Sequence, residues 1–126
     1  MAWNINKALQ KAETVKTRTS SGKCAMHVRQ FLEAGGLDLT GHPVSAKDYS
    51  SFLPKLGFVN IANIASRAEQ TKFTNNDAVP GDVAVMEHGQ HGHICMFTGK
   101  HWVSDFIQNN MWPYQGDGLV SVFRLS

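Results

Sequence analysis

The chain has 126 residues, a hydrophobic share of 42%, a charged share of 17% and a formal net charge of +2. That is enough chain for one core, expected as a single domain over 1–126, and the scattered Lys and Arg residues lack the basic stripe of a nucleic-acid binder. No apolar run is long enough for a membrane span, so no membrane insertion is expected, and two cysteines are too few for a disulfide framework. A Cys24–Cys95 bridge can be drawn, but such sparse cysteine usage argues against it. Met1 to Lys7 lacks a signal-peptide core. The expectation is synthesis in the cytoplasm without a signal peptide, with any action on the cell wall or in the periplasm depending on a dedicated export system.

Residues 3–15 read as a helix, with Ile5, Leu9 and Ala12 at helical spacing. Ser20 or Ser21 is a candidate cap for the next helix, whose apolar stripe is Cys24, Val28, Phe31 and Leu32 and which Gly35-Gly36 ends. Ser45 and Asp48 resemble a capping box for a short helix over 46–53, closed by Pro54. A strand is expected over 57–61 and a helix over 62–70. Pro80-Gly81-Asp82 marks a turn, with Asp82 capping it, before an apolar strand over 83–86. Residues 93–98 and 101–108 form a hairpin around Gly99-Lys100, 109–118 is a loop, and 119–125 is a last strand. Helices first and strands after predict an α+β fold with an antiparallel sheet.

Two segments carry chemistry. Cys24 falls at the start of a helix, where first-turn N–H groups point at its sulfur and its own N–H can donate to an oxyanion. A helix N-terminus and a histidine partner together lower a thiol below its ordinary value. Alone, Cys24 reads equally as the first core residue of an amphipathic helix. The hairpin supplies the partner. His93, Cys95 and Phe97 share a strand face. With a turn centred on Gly99, Phe97 stands opposite His101, Cys95 opposite Val103, and His93 opposite Asp105. Asp105 would then hold one imidazole nitrogen while the other takes the Cys24 proton. His27, three residues after Cys24, is a weaker candidate base, and Cys95 is expected in the core.

Cys24-Ala-Met-His-Val-Arg-Gln-Phe-Leu-Glu-Ala-Gly-Gly resembles the nucleophile helix of NlpC-type and CHAP-type peptidoglycan hydrolases. Pro80 to Met86 is similar to their strand leading to the catalytic His, and His93 to Gly99 to their His strand. The size, and Asp105 at the third position, are also similar to the amidase effectors of type VI secretion systems. The resemblance implies a papain-like fold with N-terminal helices packed on an antiparallel β-sheet. It implies a cysteine peptidase or amidase with Cys24, His93 and Asp105 catalytic, no cofactor and no metal. It also implies cleavage in the peptidoglycan stem peptide and, for a secreted toxin or lysin, a cognate immunity protein. Two departures stand out. Ala25 follows Cys24 where many NlpC-type enzymes carry a small hydroxyl residue, and no upstream Tyr offers an oxyanion donor.

Trp112, in a loop with Pro113 and Gly116, is a candidate groove residue, and Gln108 a candidate for orienting substrate. Trp102 and Phe106 are expected in the core or on the sheet. Two other enzyme readings are open. His91 and His93, one residue apart with His88 and Cys95 nearby, suit a zinc-dependent cell-wall hydrolase, but the upstream His-x-x-x-Asp of such enzymes is missing. The same papain-like set also suits a protease or acyltransferase acting on a protein. A non-catalytic wall-binding module would not need the complete set.

Overall fold

A computed structural model describes residues 3–65, 67–87, 89–111 and 119–125, apart from the side chains of residues 67, 68 and 70. Helix α1 spans Ile5–Ala12, α2 Cys24–Ala34 and α3 Tyr49–Phe52. The strands are β1 (Val59–Ile64), β2 (Val83–Met86), β3 (His93–Phe97), β4 (Trp102–Val103), β5 (Ile107–Gln108) and β6 (Val120–Arg124). They form a six-stranded sheet in the order β1-β6-β2-β3-β4-β5, every neighbouring pair antiparallel. The fold is α+β, as the order of elements predicts. No described helix is long and apolar enough to cross a membrane.

Strand alternation divides the core in two. Val83, Val85, Ile94, Met96 and Phe123 pack with Val28, Phe31 and Leu32 of α2. Ala84, Met86, Cys95, Phe97, Trp102, Val120 and Val122 form a second cluster with Ile64, Phe73 and Met111. The central strands β2 and β3 are buried throughout, which explains their unbroken apolar runs. Phe31 and Leu32 are each worth about 1.5–3 kcal/mol of burial and fix α2 across the sheet.

Several expected boundaries shift. α1 starts later than expected because Asn4 caps it, accepting from the Lys7 N–H at 3.1 Å. Trp3 is left to pack edge-on against Phe58. α2 ends at Gly35-Gly36 as expected, with Gly36 at φ +96°. The region 46–53 is a 3-10 turn, Ala46–Asp48, followed by α3. Ser45 does not cap it, since its hydroxyl bonds His91 Nδ1 at 3.1 Å. The helix expected over 62–70 is corrected: β1 continues to Ile64 because it pairs with β6, and only Arg67–Lys72 winds, as a 3-10 turn. A non-local partner overrides local propensity there. Asp82 is buried at the turn, accepting from the Val79 N–H at 3.0 Å and holding Arg124 through two 2.8 Å bonds.

Candidate active site

Cys24 is the first residue of α2, and the segment before it is tied down by one carboxylate. Asp105 Oδ2 accepts from the Ser21 N–H, from the Ser20 hydroxyl at 3.0 Å, from the Ser21 hydroxyl at 3.1 Å and from the Lys23 N–H at 3.3 Å. Its other oxygen accepts from the Ser104 hydroxyl at 3.1 Å. Burial pushes the Asp105 carboxyl up, but the donors from Ser21, Lys23 and Ser20 outweigh it and bring its pKa down to about 2. Ser20 and Ser21 therefore do not cap α2, as the sequence suggests they could. They serve the carboxylate that holds the nucleophile loop.

The half-buried Cys24 sulfur lies against the Ile94 N–H, next to His93 on β3. The Ala25 and Cys24 N–H groups also face it, as expected of a helix start. Burial nevertheless pushes the thiol up, and the charge of Asp105 adds to that, while these N–H groups pull the other way. The low thiol value expected at a helix N-terminus is thus corrected. Desolvation exceeds the pull of the helix N–H groups and holds the Cys24 thiol above its ordinary value.

His93 is fully buried. Its Nε2 lies 2.7 Å from Gln108 Oε1, and the Gln108 amide nitrogen donates to the Asn110 carbonyl at 3.0 Å. The second bond fixes which end of the amide faces the ring. The amide oxygen can only accept, so Nε2 carries the hydrogen and, in the neutral ring, Nδ1 holds the lone pair. The Phe106 ring sits 6.1 Å from the imidazole.

The hairpin register differs from the expected one. Thr98 donates its N–H to the His101 carbonyl at 2.9 Å across Gly99-Lys100, and Gly99 has φ +99°. This two-residue loop pairs Phe97 with Trp102 and Met96 with Val103, one residue off the Phe97–His101 and Cys95–Val103 pairing. Nor do residues 101–108 form one strand. The chain folds back after Val103, with the Ser104 N–H bonded to the Phe106 carbonyl, so that β5 pairs with β4 and Trp102 stands opposite Gln108. The fold-back brings Gln108 to His93 and turns Asp105 towards Ser20–Lys23. His93 opposite Asp105 is therefore replaced by His93 bonded to Gln108.

A groove of about 640 Å³ runs beside Cys24, between Ser20, Gly22–Met26 and Arg29 on one side and His42, Val44–Ala46, His91 and Gly92 on the other. The Lys47 N–H donates to the His91 carbonyl at 2.9 Å and ties the two segments of that second wall together. Gly92 sits at φ +73°, where a Cβ would lie 2.4 Å from the Met86 carbonyl oxygen. His27 turns its Nδ1 to the Lys23 carbonyl at 2.9 Å. Cys24 and Cys95 are free thiols, and burial pushes Cys95 far up. Trp102 is buried, its indole N–H bonded to Asn75 at 2.8 Å. Trp112 lies outside the described residues, as does His88. Among the described residues no three His, Cys, Asp or Glu side chains converge as a metal site.

Two solved structures share this fold. One is the native type VI effector–immunity complex Tae3–Tai3 from Ralstonia pickettii, with a chain 26% identical, matched over 98% of this chain and 100% of that one at a TM-score of 0.76. The other is the selenomethionine form of that complex, 28% identical over 91% of this chain and 97% of that one, at a TM-score of 0.68. No protein-family model and no curated protein sequence matches.

Proposed function

We propose that this chain is a papain-like cysteine amidase or endopeptidase, one domain over 1–126, that cuts an amide bond in the peptidoglycan stem peptide as an antibacterial effector. The observation that carries the reading is the Cys24 sulfur at the head of α2, set against β3 beside a His93 whose far nitrogen is held by Gln108. An amide oxygen orienting the base is the arrangement of Cys-His-Asn hydrolases. The likeness to a chain of an effector–immunity complex supports the effector role, an immunity protein as partner, and action in the periplasm after export.

In this mechanism His93 Nδ1 takes the Cys24 proton as the sulfur attacks the amide carbonyl. The Cys24 N–H donates to the resulting oxyanion. The imidazolium returns the proton to the leaving nitrogen, the C–N bond breaks, and a thioester remains. His93 then deprotonates a water, which releases the carboxylic acid and restores the thiol. Gln108 holds the tautomer throughout, and Asp105 fixes the loop that aims the sulfur. No cofactor enters.

Digestion of purified sacculi by wild type and Cys24→Ala, read by mass spectrometry, tests this. Stem-peptide products from wild type alone support it, and their masses name the bond. Equal products from both proteins remove Cys24 from the mechanism. No products, with toxicity from cytoplasmic rather than periplasm-targeted expression, point to a protein substrate instead.

A further inference from the structure

The groove beside Cys24 has a one-sided charge. Lys23, Arg29, His42 and His91 line it, and among the described residues no Asp or Glu does. Arg29 is half-buried, and the ion pairs among the described residues, Lys72–Glu69 and Arg124–Asp82, do not include it. Glu33, one turn further along α2, is exposed and does not pair with it. The contact Arg29 does make is weak: Nη1 to His42 Nδ1 at 3.4 Å. His42 Nδ1 also lies 3.0 Å from the Pro43 carbonyl. One nitrogen cannot accept from Arg29 and donate to Pro43 together. Behind Arg29 the buried Tyr49 hydroxyl makes no well-formed hydrogen bond, but the guanidinium lies near enough to act on it both as a donor and as a charge.

A half-buried guanidinium whose polar neighbours are a long contact to His42 and the nearby Tyr49 hydroxyl, on a groove wall without acidic groups among the described residues, is suited to a planar anion that the free protein lacks. We propose that Arg29, with His42 beside it, is a carboxylate-binding residue that seats an acidic group of the substrate in the groove. The inference rests on the reading of the groove as a substrate site and adds which chemical group it selects. Arg29 lies five residues after Cys24, which is about 7.5 Å along the helix axis. That is about two residues of extended peptide, so the selected carboxylate is close to the scissile bond but not part of it. With the anion in place, His42 Nδ1 is released to donate to Pro43.

The test compares muramidase-released peptidoglycan fragments in two forms, native and with carboxyl groups coupled to methylamine. Wild type is expected to cleave the native form with a kcat/KM about 10- to 100-fold higher, the range of one charged hydrogen-bonding contact. Arg29→Gln should lose that preference through KM, with kcat on native fragments little changed, and Arg29→Lys should recover part of it. Thermal melts check that both variants fold. Equal cleavage of the two forms by folded wild type overturns the inference and leaves the hydrolase reading standing. So does a preference that survives in Arg29→Gln. Cleavage of neither form overturns the hydrolase reading, and the inference with it.

Discussion

Gln108 holds His93 by a buried 2.7 Å bond, so that a neutral amide faces the imidazole Nε2. The negative charge of the site sits on Asp105 instead, where it acts on the nucleophile and its loop. In the proposed mechanism, orientation of the base and placement of the thiol thus fall to different residues. If so, Gln108→Leu should lower kcat about 10- to 100-fold with the fold intact, the range for a mis-set catalytic group. Gln108→Glu keeps an acceptor at Nε2 and should retain more activity. Equal loss in both variants would make Gln108 a packing residue only.

Asp105 should stabilise the protein in a pH-dependent way. Its folded value of about 2 lies below the ordinary carboxyl value. A lowered folded value contributes stability that is present above the unfolded value of about 4 and is lost as pH falls through about 2. The contribution at neutral pH is on the order of 2 kcal/mol. Denaturant unfolding of wild type and Asp105→Asn should therefore differ most at neutral pH and converge only as pH falls to about 2 and below. A constant difference would separate the effect from ionisation.

Burial, and after it the charge of Asp105, push the Cys24 thiol up. Alkylation by iodoacetamide without substrate should keep accelerating through pH 8 and beyond. A rate already flat at pH 7 would reveal a thiolate–imidazolium pair. Cys95, with no exposed surface, should stay unmodified in the native protein and serve as the internal control.

Gly92 is the close approach that seats β3. Gly92→Ala puts a Cβ against the Met86 carbonyl and Lys47 at φ +73°. The left-handed backbone alone costs about 1–2 kcal/mol, and the clash adds to it. Lower thermal stability and weaker cleavage are both expected. Unchanged melting and activity would mean that the His91–Lys47 clamp is dispensable.

Much of the site was legible because it is local. A cysteine after a polar, glycine-bearing segment and before an apolar helical stripe marks the head of α2. An apolar run after Pro80-Gly81-Asp82 marks β2. What misled was the single residue by which a hairpin register can slip. Counting the turn as centred on Gly99 set His93 opposite Asp105, whereas the two-residue Gly99-Lys100 loop moves every pair by one. The sequence already held a signal for that loop, since a glycine at its first position suits a two-residue turn. It held none for the fold-back after Val103, where the Ser104–Phe106 turn and the pull of Ser20–Lys23 on Asp105 act across distant parts of the chain.

By itself the sequence determined the α+β class, the strand faces and the positions of Cys24 and His93 along the chain, because helical and strand periodicity are short-range properties. Only the tertiary structure decided that Gln108 meets the imidazole and Asp105 the loop before Cys24, that the Cys24 sulfur is desolvated, and that Arg29 faces a groove without acidic lining among the described residues. Those outcomes depend on register, burial and long-range pairing, which arise when separate segments pack together.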